Sequence, residues 1–434
     1  MSAERVTALR GLLARRFVRA GVTTYLFSAL TLVANLVTGI VVARALGPDG
    51  RGVTIALATV AQLAGFLSAA GVAQSLSYYI AQRPENGPTL LTTWVLTLIP
   101  LAAVAIGITE LLLPTIFATD GDQAIEIGRW FMFIIVLVIG IELNYGLLLG
   151  TQDYFAYNAL RFVPTALSAV ALVVLWVLDE LTIESALIAP NVAYLLVLIV
   201  GLTRSVRRVG IGPPDWALGR ASLWYGVRGQ GQTLAANVTA RLDVAMLPGF
   251  VTAANVGLYS VATNISLIVY QLSNTFAGLV LPAAASDPKR GPIKVVGSLW
   301  ASLLVAGSVA VVLALTGRPL LGLVYGDRFE GAVDSLLLLL PGAVLFAGSS
   351  ILAAGVFALG RPFTATIPQL LGMIVTVVGL VAFLDTGGIT AAAIVSTVSY
   401  ATVFVATLIA YKRVADLPWG TFLPTLARLR ELTR

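Results

Sequence analysis

Long apolar runs separated by short polar turns make up most of the chain, and their lengths decide what each run can be. A helix rises 1.5 Å per residue, so about 20 apolar residues cross the roughly 30 Å hydrocarbon core of a bilayer. Runs of that length fall near residues 18–43, 53–80, 89–113, 126–150, 156–178, 181–203, 221–248, 254–284, 292–316, 332–358, 363–384 and 387–411. Twelve spans are expected. Ala43-Arg44-Ala45 has the look of a signal cleavage box, but the run before it exceeds the 7–15 apolar residues of a cleavable signal, so the first span is expected to be retained.

The polar turns fix a topology. An even number of spans leaves both termini on one side. Arg5, Arg10, Arg15, Arg16 and Arg19 precede the first span, and Lys412-Arg413 follow the last. Basic residues gather on the cytoplasmic side, which puts both termini there in an inner (plasma) membrane protein. Alternate turns agree: Arg83, Arg204 to Arg208, Lys289-Arg290 and Arg361 fall inside, whereas Asp120, Asp122, Asp179, Glu180, Asp327 and Asp385 fall outside. The basic head reads as an arm on the membrane face. The tail from Pro418, with Arg428, Arg430 and Arg434, reads as a short interfacial helix.

The basic connection at 204–220, with Gly212-Pro213-Pro214, divides the chain into an N-lobe at 1–203 and a C-lobe at 221–411, followed by a tail at 412–434. The halves are weakly alike at an offset of about 203–210 residues. The segment Gly52 to Val60 lies over Gly257 to Ile265, and Leu149 to Tyr154 over Leu359 to Thr364. Six spans per repeat give both halves one orientation, predicting two six-helix lobes around a central cavity, related by an axis along the membrane normal. Pro100, Pro164, Pro190, Pro282, Pro341 and Pro368 fall inside spans, where each removes a backbone hydrogen bond and can kink its helix.

The seventh span breaks the apolar pattern. Between Trp224 and Ser260 it carries Arg228, Gln230, Gln232, Asn237, Arg241 and Asp243. A charge near the bilayer centre costs at least ~2.5 kcal/mol, so such residues are paired or face water. At 100° per residue Arg228, Gln232, Thr239 and Asp243 share one face, and Gln230, Asn237 and Arg241 share nearly the opposite one. A straight helix cannot turn both stripes to one cavity. Either one stripe packs within its own lobe, or Gly226, Gly229 and Gly231 break the helix and re-aim Arg228; the second is expected. Arg228 then meets a substrate from the cytoplasm, while Arg241 and Asp243, near the outer end, are expected to gate or couple.

Glu142 on the fourth span and Arg161 on the fifth occupy similar depth, and an internal salt bridge between them is expected, with a charged-headgroup site as the alternative. Asn35, Gln62, Gln74, Tyr78 and Tyr79 in the first half and Asn264, Tyr270, Gln271 and Asn274 in the second fall on spans one, two, seven and eight. Collectively they suggest a hydrophilic cavity suited to sugar hydroxyls and ring faces.

Composition narrows the chemistry. With 58% hydrophobic and 11% charged residues, 434 residues form an all-α polytopic membrane protein and not several soluble domains. There is no cysteine and no histidine, which removes thiol chemistry and the usual proton relay. The net charge of +6 follows topology and not nucleic-acid binding, and neither metal nor cofactor is expected. No Gly-rich phosphate loop ending in Lys-Ser/Thr occurs, and the external turn near 317–331 is too short for a catalytic domain. The chain is therefore not expected to be an enzyme.

Arg241-Leu242-Asp243 followed by Val256-Gly257-Leu258-Tyr259-Ser260, together with the turn Arg44-Ala45-Leu46-Gly47-Pro48, resembles the polysaccharide (oligosaccharide) flippase family, a relative of multidrug and toxin extruders and lipid II flippases. The resemblance covers nearly the whole chain. It implies alternating-access transfer of a polyprenyl-diphosphate-linked oligosaccharide from the inner to the outer leaflet for polysaccharide export. Membrane lipids and polymerase or ligase components of the pathway are candidate partners. An anionic diphosphate suits the fork of an arginine. A cation-coupled drug extruder of the same fold is the alternative; it would need open carboxylates, with Asp243 and Glu142 the candidates. A lipid II flippase would change the substrate only.

Overall fold

The apolar runs fold as helices, and every regular element among the described residues is helical. A computed structural model describes the backbone of residues 3–119, 121–285 and 290–423; side chains of residues 3–25, 121, 122, 232, 272, 274–276, 278, 279, 282, 283 and 362 lie outside the description. Of the residues singled out above, Asp120, Lys289, Arg428, Arg430 and Arg434 lie outside it, as do the side chains of Arg5, Arg10, Arg15, Arg16, Arg19, Asp122, Gln232, Asn274 and Pro282.

The helices are α1 (Ala3–Ser68), α2 (Val72–Gln82), α3 (Gly87–Ile116), α4 (Gly121–Phe131), α5 (Ile134–Gly150) and α6 (Tyr154–Val177), followed by α7 (Ile183–Val209), α8 (Trp216–Met246), α9 (Ala253–Ala285), α10 (Gly291–Tyr325), α11 (Ala332–Ala358) and α12 (Pro362–Ala415). Two of these are interrupted. α1 carries the basic arm, the first expected span and much of the second, and turns at Gly47, whose φ of 69° favours glycine. α12 is broken in the same way at Gly388, with φ 51°.

Among the described residues nine stretches are long and apolar enough to cross a membrane, and two of them, Leu26–Gln82 and Phe363–Ala415, contain those interruptions. α8, over the expected seventh span, is not among the nine because its polar residues lower its hydropathy. The chain is a multi-pass membrane protein.

Boundaries differ from expectation in three places. The second expected span is cut between α1 and α2, where Ala70 and Gly71 take positive φ values of 49° and 76°. The fourth is cut between α4 and α5 at Met132-Phe133. The basic connection is shorter than expected because α7 runs on to Val209, its last turn holding Arg207 and Arg208, whose charge complements the partial negative charge of a helix C-terminus.

Two compact units emerge. The first comprises Met1–Ala45, Ala64–Leu111 and Arg129–Gln230; the second comprises Leu46–Leu63, Leu112–Gly128 and Gly231–Arg434. In the first, α2 lies against α5, where Gly146 and Gly150 admit Leu76 and Ile80. Trp94, almost fully buried, donates its indole N–H to Ser222 Oγ at 2.8 Å, and Ser75 also hydrogen-bonds Ser222. Asp153 ties α6 to α7. One carboxylate oxygen caps α6 by accepting the Ala156 N–H at 3.2 Å; the other accepts Arg204 Nη2 at 2.9 Å and Arg208 Nη1 at 3.1 Å. Partial burial pushes this carboxyl up, but the Arg204 and Ala156 hydrogen bonds and the two arginine charges outweigh it and hold the pKa below its ordinary value.

In the second unit, α11 packs on α9, α10 and α12. Its buried Ile351 and Leu352 join Val295, Val296 and Leu299 of α10 and Tyr411 of α12. Phe346 is stacked between Tyr270 at 4.5 Å and Tyr400 at 4.6 Å. Lipid tails are as apolar as leucine, so close packing and hydrogen bonds, not water exclusion, hold such a core together. The apolar surface left outside is large and consists of residues such as Leu111, Val200, Leu315 and Leu323.

Candidate functional site

α8 was expected to break at its glycines. It does not: the helix is continuous from Trp216 to Met246. Its glycines serve packing instead. A Cβ on Gly226 would stand 2.6 Å from the Gly71 carbonyl oxygen, so α8 and the start of α2 cross with backbone against backbone. Neither polar stripe is wholly inward. Arg228 is exposed while Thr239 and Asp243 of the same stripe are fully buried; Gln230 of the opposite stripe is buried while Arg241 is exposed. The exchange falls where α8 passes from the first unit to the second, between Gln230 and Gly231. The continuous helix thus buries a different face in each unit.

On the first unit's part of α8 the exposed groups form a cation–aromatic cluster. The Arg228 guanidinium lies 5.1 Å from the Trp224 ring centroid. Tyr225 stacks on Tyr78 of α2 at 4.2 Å and 17°, and Tyr79 meets both edge-on at 5.4 and 5.8 Å. Gln74, one turn before Tyr78, has a buried Oε1 with no hydrogen-bond partner, and so has Gln230 Nε2 on α8. Such unpaired buried atoms are rare in native structures, and each can accept or donate one further hydrogen bond. Arg228, Gln74 and Tyr78 were named from sequence, and α2 and α8 bring them together; Trp224 and Tyr225 were not.

The second unit's part of α8 is closed. Asp243 is inaccessible, and its Oδ2 accepts the Tyr259 hydroxyl at 2.6 Å and the Ser396 hydroxyl at 2.9 Å, while Oδ1 accepts the Val244 N–H at 2.7 Å. α9 and α12 thus each send one donor to the carboxylate. Arg241 reaches Gln62 Oε1 from Nη1 at 3.4 Å. Asn264 and Gln271 are exposed on α9, and Asn35 is exposed on α1.

Glu142 and Arg161 do not form the expected ion pair. Arg161 lies over the Tyr157 ring at 5.7 Å, one turn along α6, and no ion pair to Glu142 exists among the described residues. Both are within electrostatic reach of the Tyr145 hydroxyl, and Tyr194 of α7 shares a hydrogen bond with Thr165 nearby. Aromatic faces rather than a carboxylate accommodate this arginine.

One further residue escaped the sequence reading. Arg51, just past the Gly47 turn, is 4% exposed and donates from Nε to Ser260 Oγ at 3.2 Å.

Residues 18–286 match the family model described as polysaccharide biosynthesis protein. The chain belongs to the polysaccharide biosynthesis protein family. No curated protein matches it in sequence. Among solved structures, this family member is similar to the lipid II flippase MurJ in an inward closed conformation, with TM-score 0.77 and 12% identity over 95% of this chain and 91% of that one. It is also similar to an inward-facing multidrug resistance MATE family transporter of the MOP superfamily, with TM-score 0.70 and 14% identity over 89% and 95% of the two chains. A Vibrio cholerae MATE transporter, VcmN in the bent form, matches at TM-score 0.56 and 14% identity over 92% and 98%. These likenesses are likenesses of fold. By family the chain is a polysaccharide biosynthesis protein, and its fold is shared with these membrane proteins.

Proposed function

We propose that the protein flips a lipid-linked oligosaccharide, carried on a polyprenyl diphosphate, from the inner to the outer leaflet of the plasma membrane by alternating access. The observation that carries the reading is the cluster of Arg228 on Trp224 beside the Tyr78–Tyr225 stack. An exposed guanidinium can bind two diphosphate oxygens at once. Flat aromatic faces suit the apolar faces of sugar rings, and the unpartnered Gln74 Oε1 offers a hydroxyl acceptor. Family membership supports a glycan substrate.

In this reading the two interrupted helices each cross the membrane twice, and with α8 they complete twelve spans with both termini cytoplasmic. Residues 1–203 and 221–411 are the moving halves, joined by 204–220, with 412–434 as a tail. Arg161, Gln232, Asn35, Asn264, Gln271 and Asn274 are further candidates for glycan contact. Arg241, Asp243 and Glu142 serve gating or coupling. Polymerase or ligase components of the pathway would take up the product. A cation extruder would need carboxylates open to its substrate; Asp243 is enclosed and already held by three donors, which leaves Glu142 as its one remaining named candidate.

Native mass spectrometry of mildly purified wild type and Arg228→Ala tests this. A polyprenyl-diphosphate sugar should co-purify with wild type and fall about tenfold in the variant, the loss of a charge-assisted bidentate contact. Absence of any such lipid, together with binding of added lipophilic cations that Asp243→Asn abolishes, would establish the extruder instead.

A further inference from the structure

Segments related by the internal repeat meet where neither tolerates a side chain. A Cβ on Gly52 would collide with the Ala253 carbonyl, standing 2.6 Å from its carbon, and one on Gly257 would collide with the Pro48 carbonyl, 2.8 Å from its carbon. These are the same contact made twice. One offset of 205 residues carries Gly52 onto Gly257 and Pro48 onto Ala253, so exchanging the repeats turns each contact into the other. A self-complementary contact of this kind lies on a two-fold axis, and for repeats of equal orientation that axis runs along the membrane normal.

All four residues belong to the second compact unit, in which Leu46–Leu63 of the first half packs with second-half helices. Hydrogen bonds flank the crossing. Arg51 Nε donates to Ser260 Oγ at 3.2 Å, and Ser260 Oγ donates to the Gly257 carbonyl at 2.8 Å.

We propose that this paired glycine crossing is the closure of the transport path at the membrane face opposite the termini, an inference that rests on the alternating-access reading above. Backbone lying against backbone on the axis leaves no passage for a headgroup. Because glycines meet carbonyls without interlocked side chains, the two segments can part and re-form, and the Arg51–Ser260 bond is one that parting breaks. Larger side chains here would hold the repeats apart, which accounts for glycine at both related positions.

The absence of native cysteine makes thiol labelling a clean test. In a Val256→Cys protein, which keeps the Arg51–Ser260 bond and places the thiol at a position 0% exposed, the introduced thiol should resist a membrane-impermeant maleimide applied from the outer face. Adding Gly52→Ala or Gly257→Ala should wedge the crossing open and speed labelling about tenfold, the ratio of a shifted two-state population. Gly107→Ala and Gly307→Ala, where nothing lies within 4 Å of the new methyl, should leave it slow. Unchanged labelling in alanine variants that elute as folded protein would overturn the proposal. Should those variants fail to fold, Arg51→Gln provides the second arm: it removes the pin without a clash and should raise labelling severalfold, and unchanged labelling there overturns the proposal equally. Labelling needs no substrate, so a negative native mass spectrum would defeat the lipid reading while leaving the closure to be decided here.

Discussion

Arg228 and Asp243 stand on one unbroken helix, roughly 22 Å apart at 1.5 Å per residue, and are treated oppositely by their neighbours. Arg228 is exposed and lies over an aromatic face, its guanidinium open to an anion from the other side. Asp243 is sealed, with a tyrosine, a serine and a backbone N–H filling its acceptor sites. A buried carboxylate with every oxygen engaged is a joint: it fixes α8 to α9 and α12. An exposed guanidinium lying over a ring of its own helix is, in the proposed function, a receptor. The sequence offers the same signal for both, a charged residue where leucine is expected. Only the surroundings separate the enclosed charge from the exposed one.

The sharpest way to break this contrast is to remove each charge and read stability. Asp243→Ala leaves two buried hydroxyls without their acceptor and should cost about 3 kcal/mol, with a visible fall in Tm in detergent. Asp243→Asn keeps one acceptor and should cost less. Arg228→Ala should leave Tm almost unmoved. If Asp243→Ala melted with wild type, the carboxylate would not be a joint. A smaller effect concerns the tyrosine stack: Tyr225→Ala should weaken retention of the co-purifying lipid about fivefold, near 1 kcal/mol, whereas Tyr225→Phe should keep it, because the ring face and not the hydroxyl is used. Equal loss in both variants would assign the contact to the hydroxyl.

The helices were legible because a membrane span is a length and a composition, both local properties of the chain. The places where spans break were less so: positive φ at Ala70, and the Met132-Phe133 turn inside an apolar run, leave little trace in hydropathy. Arg228, Gln74 and Tyr78 were legible as polar residues out of place. Tyr225 was not, since an aromatic residue at a span end is ordinary and its meaning comes from Tyr78, far away in sequence. Arg51 was hidden in a glycine-rich turn, and its partner Ser260 lies 209 residues on. Gly226 was misread as a hinge. A glycine that loosens a helix and one that admits a neighbouring backbone are the same letter, and only the neighbour tells them apart.

The least of the expected effects lies outside the spans, where a charge is both joint and exposed pair. Asp153 is largely enclosed, but Arg204 and Arg208 are 60% and 51% exposed, so solvent screens their attraction. Its carboxyl pKa is held below the ordinary value, against the opposing pull of burial, by the Arg204 and Ala156 hydrogen bonds and the two arginine charges. A folded pKa below the unfolded one means that the stabilisation is present above the unfolded value, near 3.9, and is lost as pH falls through the folded value. Asp153→Asn keeps an N-cap of equal quality and removes only the ion pairs. Thermal unfolding should therefore place the variant about 0.5 kcal/mol below wild type at pH 7, with the gap closing as pH falls toward 3. A gap that stayed constant with pH would mean that shape, and not charge, holds α6 to α7.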